Sequence, residues 1–293
     1  MKGKATSSPV VLYWHRTDLR LHNSPALHAA LNLKPLTFIP VWTWDPYYND
    51  LSKSYTKLNP KQKLWVVCET PQTVLPKLWK QWDVTHLVFE KDTDAYARDR
   101  DETVMRLAKE AGVEVVIQKA VEGFNKGRPA EVVDTPGKIP DPWDEKKMDL
   151  SGLEQDGVDP EPDVNQEYPT RKDEQYVKIM GPKDDFGVPT LHEIGIDPSQ
   201  VTTPHKGGEA EALKILSDYI KDDEYVGTFE KPKASPAAFQ PQSTTLLSPH
   251  LHFSSLSVRQ FWWDVQSVLE DRSKAEESEC NDTDSLTGTA AIL

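Results

Sequence analysis

Residues 11–31 read VLYWHRTDLRLHNSPALHAAL and hold a strand, a charged turn and a helix in one short stretch. The continuous apolar run over 10–14 is typical of a strand that is buried on both faces. SPALHAAL, at 24–31, predicts a helix with Ser24 as its N-cap and Pro25 at its first position, where a proline removes no hydrogen bond. This order is typical of a fold in which strands and helices alternate.

The turn after the predicted strand carries Arg16, Asp18 and Arg20. Open parallel sheets bind their ligands outside the carboxyl ends of the strands, so guanidinium groups fixed there are candidates for ligand binding. The alternative is structural, with Asp18 and the two arginines pairing to hold the turn. The sequence leaves both interpretations open.

The alternation of strands and helices continues along the first part of the chain. Amphipathic segments over 70–82 and 93–112 predict helices, the second ending at Gly112. The predicted fold class is therefore α/β, with a doubly wound parallel sheet covered by helices on both faces. Four apolar runs predict its further strands: LTFIPVW at 36–42, LWVV at 64–67, HLVFE at 86–90 and VEVVIQ at 113–118.

Regular patterns fade over residues 129–204, where prolines recur, and this part predicts a long connector on the surface. Fourteen acidic and six basic residues lie within 141–185, which is typical of a solvated linker.

Helical patterns return after the connector. A second helix is expected over 255–272, and the polar end of the chain, 274–293, is expected to be disordered. The first of these helices has an apolar stripe made of Ala210, Leu213, Leu216 and Ile220.

Composition and charge exclude several classes of protein. The formal net charge of −13 opposes the phosphates of DNA, and no apolar run approaches the roughly 20 residues that span a bilayer. Cys68 and Cys280 suggest neither a disulfide framework nor a zinc site, and the scattered histidines match no metal site. We therefore expect a cytoplasmic or nuclear protein without a membrane partner or a metal.

The segment STTLLSPHLHFSSLS, at 243–257, places small hydroxyl residues and a proline before a helix-like pattern. Free backbone N–H groups at the start of a helix, together with hydroxyl donors, suit the oxygens of a phosphate or diphosphate. This segment is a candidate phosphate-binding loop.

Six stretches, taken in order, resemble the cryptochrome/photolyase family. The last is most similar to the branch that holds animal-type cryptochromes and (6-4) photolyases. The stretches are VLYWHRTDLRLHNSPALHAAL, VWTWDPYY, THLVFEKDTDAYARDRDETV, FGVPTLHEIG, GGEAEALKIL and FEKPKASPAAFQPQSTTLLSPHLHFSSLS.

The resemblance implies three parts: a Rossmann-like α/β (antenna) domain at 8–135, a connector at 136–206, and the N-terminal fragment of an all-helical FAD-binding domain at 207–293. It also implies a flavoprotein that uses blue light, either to repair photoproducts in damaged DNA or to signal as a photoreceptor. An antenna chromophore of unknown identity is a further expectation.

The resemblance also implies which residues bind the flavin. An aromatic side chain at Phe229 is expected against the flavin, with simple core packing as the alternative. No catalytic residue is assigned. The residues expected to contact the FAD phosphates are Thr244, Thr245, Leu246, Leu247 and Ser248.

The chain departs from the family pattern at three places. After Tyr48 most of a helix is missing, which predicts an uncovered apolar sheet face that favours aggregation or a protein partner. In the phosphate loop, His250, His252 and Ser254 replace an aromatic residue, an arginine and a glycine. After Gly288 the family would continue into the rest of its helical domain.

These departures predict a C-terminally truncated family member with an internal gap, weakly active or inactive as a DNA photolyase. The alternative interpretation is a non-catalytic interaction module, or an α/β domain that binds an antenna chromophore.

Overall fold

In a computed structural model, the part of the chain that is described contains five strands, seven α-helices and one short 3-10 helix at Pro198–Gln200. The residues that the structure describes are 9–16, 19–44, 63–92, 94–119, 130–137, 140, 153, 179–181, 183–193, 197–202, 205–229 and 244–287. Asp18 and the segment 45–62 lie outside them. The strands are β1 (Val10–His15), β2 (Thr37–Thr43), β3 (Trp65–Val67), β4 (His86–Lys91) and β5 (Glu114–Lys119).

The five strands form one parallel sheet in the order β3-β2-β1-β4-β5. β1 is central, and its Leu12 pairs with Ile39 on one side and Leu87 on the other. The chain leaves β1 in one direction and returns to its other side at β4, so the sheet is doubly wound. This confirms the predicted fold class and all five predicted strands.

The first three helices cover the sheet: α1 (Pro25–Asn32), α2 (Pro71–Gln81) and α3 (Ala95–Ala111). The Ser24 hydroxyl accepts a hydrogen bond from the amide of Leu27 at 3.3 Å, and Pro25 begins α1 as predicted. α3 ends at Gly112, whose φ of 75° suits glycine.

The connector contributes four residues to the main core, so the prediction of a solvated linker is wrong at these positions, whereas most of the other described connector residues are exposed. Leu153, Ile179, Met180 and Phe186 are all buried in the cluster that includes β1 and α2. Phe186 lies with its ring centroid 5.4 Å from that of Trp65. Isolated apolar residues in an acidic, proline-rich segment carry no period, and they can still fill space beside large rings.

The predicted uncovered sheet face is also wrong for the residues that the structure describes. Leu19, Trp44, Leu64, Val66 and Cys68 form a buried cluster beside β2 and β3. The described residues therefore give no support to an exposed apolar patch on this face.

The remaining helices follow the connector: α4 (Glu209–Ile220), α5 (Asp223–Thr228), α6 (Ser248–His252) and α7 (Val258–Thr287). Leu216 of the predicted stripe is buried, and Leu213 and Ile220 pack beside it. Ala210 is exposed, and Ala212 takes its place because the buried face is rotated from the predicted one.

Helix α7 is longer than predicted, so the expected disorder is wrong over 274–287. This stretch contains neither proline nor glycine before Gly288, and AEESE at 275–279 is rich in residues that favour a helix. In the part of the chain that the structure describes, the helices fall short of the length and apolar character needed to cross a membrane.

Candidate functional site

The residues expected to contact phosphate, 244–248, form a loop that leads into α6 and ends at its first residue; this loop is called the predicted phosphate loop. The Tyr219 hydroxyl of α4 donates a hydrogen bond to the carbonyl of Thr244 at 3.0 Å, which ties the loop to the helix. The hydroxyl of Thr245 accepts from the amide of Leu247 at 3.4 Å, and Ser248 is exposed at the first position of α6. Short polar contacts therefore define the path of the loop.

Two leucines of this loop have different roles. Leu246 has a φ of 55°, which turns the backbone sharply before the helix. Leu247 is fully buried and packs with Ala212, Leu216 and Leu256. Any contact of Leu247 with a phosphate would therefore be made by its backbone, since its side chain belongs to the core.

A cleft of about 420 Å³ lies beside the loop. α4 and the start of α5 form most of it, and the loop contributes one side chain. Two carboxylates and two phenol rings face this space. The lining residues are Ile215, Asp218, Tyr219, Asp222, Tyr225 and Leu246.

The tyrosines of the cleft stack on one another. The ring centroids of Tyr219 and Tyr225 are 5.4 Å apart, with an angle of 22° between the planes. Burial raises the pKa of both phenols above the ordinary value of 10.0, so both stay neutral at physiological pH.

The carboxylates of the cleft have local partners. Asp222 is the N-cap of α5 and accepts from the amide of Tyr225 at 2.9 Å. Asp218 lies 3.2 Å from Lys221, and both side chains are well exposed. An exposed pair of this kind is weak and easily exchanged.

Phe229 does not reach the cleft. It follows α5, is 46% exposed, and its ring contacts Tyr225 edge-on with centroids 5.6 Å apart. Tyr225 therefore stands between Phe229 and the predicted loop.

The residues of the cleft that sequence reasoning missed share one helical face. Ile215, Asp218, Tyr219 and Asp222 are spaced by three, four and seven residues, which is the spacing of one face of a helix. This helical spacing was the signal in the sequence from which these cleft residues could have been found.

A buried polar junction joins the turn after β1 to the helical part of the chain. Glu209, the first residue of α4, accepts from the amides of Leu21 and His22 and from Nδ1 of His22 at 2.5 Å. The amide of Ser257 donates to Nε2 of His22 at 3.0 Å. Because an amide N–H can only donate, Nε2 is the unprotonated nitrogen and Nδ1 carries the proton.

The charge of Glu209 is stabilised by these bonds. Burial by itself would raise the pKa of this carboxyl, and the hydrogen bonds from His22 and Leu21 outweigh it and lower the pKa below the ordinary value of 4.5. The junction therefore holds an ionised carboxylate.

Asn23 extends the junction. Its side-chain amide donates to the hydroxyl of Ser257 at 2.5 Å, and its side-chain carbonyl accepts from the amide of Val133 at 2.9 Å. Arg259 of α7 donates to the backbone carbonyl of Asn23 at 3.3 Å. The turn after β1 thus anchors the loop that leads into α7.

The arginines of the turn are structural. Arg16 donates to both carboxylate oxygens of Asp101 in α3, at 2.6 and 2.7 Å, and its guanidinium lies 5.1 Å from the ring centroid of Phe89. Arg20 donates to the carbonyl of Ser254 at 3.2 Å and lies 3.7 Å from Glu90. Both arginine side chains are buried, which favours the structural interpretation over ligand binding. These partners lie elsewhere in the chain.

Two positions after the loop that differ from the family pattern have defined conformations or contacts. Ser254, where the family pattern has glycine, has a φ of 52°, so a residue with a side chain occupies a left-handed conformation. His250 is buried beside the hydroxyl of Ser255 at 3.0 Å, and burial lowers the pKa of its imidazole. Among the described residues, no group of three His, Cys, Asp or Glu side chains could hold a metal ion.

Comparison with known proteins identifies relatives along most of the chain. The sequence profile of the DNA photolyase family matches residues 11–56 and 48–121. The chain is 34% identical to cryptochrome-2 of Gallus gallus over 275 residues, covering 86% of this chain and 45% of that protein. It is 31% identical to the (6-4) DNA photolyase of Arabidopsis thaliana over 300 residues, covering 90% of this chain and 50% of that protein. The chain spans about half the length of these relatives.

Solved structures agree on the fold. A cryptochrome of Synechocystis superposes with a TM-score of 0.58 at 17% identity, covering 92% of this chain and 57% of that one. A class III photolyase of Agrobacterium tumefaciens superposes with a TM-score of 0.53 at 18% identity, covering 90% and 54%. These structures show the fold alone; the profile match and the similarity to the curated relatives identify the chain as a member of the cryptochrome/photolyase family.

Proposed function

We propose that this chain supplies the α/β domain and the phosphate-binding side of a cryptochrome/photolyase-type flavoprotein, and that by itself it binds FAD weakly. The observation that carries the proposal is the position of Thr245 and Ser248 at the start of α6, on a loop tied to α4 through Tyr219. FAD would supply the light-absorbing ring, and its diphosphate would lie against this loop.

The donor chemistry of the loop fits a phosphate. Thr245 and Ser248 carry hydroxyls, and Ser248 is the first residue of α6, where a helix has no internal acceptor for its amide; Pro249, the second residue, has no amide to donate. The charge beside the loop opposes a phosphate, because Asp218 and Asp222 line the neighbouring cleft. Hydroxyl donors that favour a phosphate and carboxylates that repel it together support weak binding of FAD.

Little or no light-driven repair is proposed for this chain. A flavin gains most of its affinity when its ring is enclosed, and a phosphate loop supplies a small share of that affinity. The net charge of −13 further opposes binding to DNA. Damaged DNA as a partner and any antenna chromophore stay expectations from the family.

Titration of the purified chain with FAD, followed by flavin absorbance and fluorescence, tests the proposal. Thr245→Ala/Ser248→Ala should weaken FAD binding several-fold, while Ser199→Ala/Ser273→Ala, which removes two remote hydroxyls, should leave it unchanged. Equal affinity in both double variants would contradict the role of the loop. Light-dependent repair of a pyrimidine photoproduct would contradict the proposed inactivity.

A non-catalytic interaction module is the second candidate. It is favoured by the carboxylates of the cleft, which repel a diphosphate and leave a surface that suits a different ligand. A chain that stays colourless with excess FAD and binds a specific protein would support this candidate.

A further inference from the structure

The cleft between α4, α5 and residue Leu246 has a chemistry that differs from that of a phosphate site. We propose that it binds the arginine side chain of a protein partner, with Asp218 and Asp222 holding the guanidinium charge and the tyrosines contacting its plane. The proposal goes beyond the flavin role of the adjacent loop and does not depend on it.

The charged residues that line the cleft determine whether it attracts a cation or an anion. Among the residues that the structure describes, six line the cleft; two of these are carboxylates and none is a cation. An anion would meet repulsion there, whereas a cation would be attracted. Lys221 lies 3.2 Å from Asp218, outside the lining, and is itself 71% exposed.

The aromatic side of the cleft selects an organic cation. Tyr219 and Tyr225 present a stacked pair of neutral rings, and a cation positioned over a tyrosine face is attracted by the ring quadrupole. A metal ion is not favoured, since the described residues include no group of three ligands able to hold one. Carboxylates together with aromatic faces suit a guanidinium or an ammonium.

Arginine suits this cleft better than lysine. Its planar guanidinium stacks on an aromatic ring and can donate two parallel hydrogen bonds to a carboxylate, whereas the ammonium of lysine is a more strongly hydrated point charge. Ile215 and Leu246 provide apolar surface for the methylene part of the side chain.

The openness of the site points to a side chain arriving from a partner's surface. Asp218 is 60% exposed, so an approaching protein can reach it without a rearrangement of the helices. A volume of about 420 Å³ accommodates an arginine side chain with part of its neighbouring backbone. The exposed Lys221–Asp218 pair is weak enough for an incoming guanidinium to displace.

Calorimetric titration of the full chain with three blocked tripeptides, Arg-Arg-Arg, Lys-Lys-Lys and Glu-Glu-Glu, tests the proposal at physiological salt. We expect the arginine peptide to bind more tightly than the lysine peptide and the glutamate peptide not to bind. Asp218→Asn/Asp222→Asn should weaken the arginine peptide by about fivefold or more, as expected for two exposed carboxylates. Asparagine at 222 keeps the N-cap of α5, so the helix is preserved.

The matched control is Glu110→Gln/Asp271→Asn. It removes the same two charges from remote exposed carboxylates, which are 59% and 74% exposed. It should change the affinity less than about twofold, since distant exposed charges are screened by salt. Lys221→Ala should tighten binding, because it removes the competing cation.

Equal weakening by the two double variants would overturn the proposal in favour of non-specific attraction to an acidic chain. Absence of arginine-peptide binding would overturn it outright. If Asp222→Asn disturbs folding, Asp218→Asn alone must still weaken the arginine peptide for the proposal to stand. FAD affinity separates the two proposals, because removal of the carboxylates should tighten FAD binding or leave it unchanged.

Discussion

His22 donates the proton of its Nδ1 to Glu209 at 2.5 Å, across 187 residues of sequence. The imidazole accepts from the amide of Ser257 through its other nitrogen. One side chain in the turn after β1 thereby fixes both the start of α4 and the approach to α7. Because Tyr219 ties the loop at 244–248 to α4, the position of this loop relative to the sheet depends on the junction.

Glu209→Gln should lower the free energy of unfolding at pH 7 by about 1–3 kcal/mol, because it removes the charge from three hydrogen bonds in a buried site. The pKa of Glu209 is lowered in the folded chain, so its stabilisation is present above 4.5 and is lost as the pH falls through the folded pKa. Urea unfolding of both proteins should therefore give a difference that shrinks below about pH 4.5. A difference that is the same at pH 3.5 and pH 7 would contradict this role.

Ser254→Gly should stabilise the fold by about 0.5–1 kcal/mol, because glycine adopts a positive φ without strain. The control is Gly112→Ala, where an added Cβ meets nothing within 4 Å and only the backbone conformation is strained. The two substitutions should shift the midpoint of thermal unfolding in opposite directions. A loss of stability in Ser254→Gly would show that the serine side chain outweighs the strain.

Asp101→Asn should destabilise the chain by about 3–5 kcal/mol, because it leaves the buried charge of Arg16 without its carboxylate. Glu110→Gln removes a partner from the exposed pair with Arg106, where the distance of 2.9 Å is also short, and should have little effect. The midpoints of denaturant unfolding of the two variants measure both losses of stability. Similar losses in the two variants would mean that burial does not govern these pairs.

Phe186→Ala should cost about 3–5 kcal/mol, the range for a fully buried aromatic side chain. Val188→Ala, two residues further on and 52% exposed, is the matched control and should be nearly neutral. Chemical unfolding gives the free energies of unfolding of the two variants, which can then be compared. A neutral Phe186→Ala would restore the interpretation of this segment as a solvated linker.

Cys68 should resist thiol reagents in the native chain at pH 8. Burial, with a contribution from Glu69, raises the pKa of its thiol to about 12, so the thiolate is scarce and poorly accessible. A chromogenic disulfide reagent applied to a Cys280→Ser variant should react only after denaturant is added. Rapid labelling without denaturant would show that the β3 region opens in the native state.

The sheet was predictable because its strands are continuous apolar runs, and the ends of α1 and α3 because Ser24 and Gly112 have specific local roles. The burial of connector residues was not predictable. Residues such as Leu153 and Phe186 are isolated in sequence and acquire their neighbours only in the folded chain. Local reasoning cannot find contacts of that kind.

The candidate site was predictable only in part. Hydroxyl residues before a helix indicated the loop at 244–248, which the structure places before α6. The side chain of Leu247 lies in the core, so the expected contact of this residue with a phosphate, which no observation tests, would be made by its backbone. The acidic character of the cleft comes from a helix face more than twenty residues away, and no single motif contains it.

The carbonyls of Phe186 and Ile179 accept hydrogen bonds from the amides of Val66 and Cys68, at 2.9 and 3.0 Å. β3 is the last strand on its side of the sheet, where unpaired amides would invite another chain to add a strand. The connector therefore protects this edge, and its loss would expose a template for intermolecular β-pairing. A segment with the composition of a linker thus occupies hydrogen-bonding positions that another strand could otherwise take.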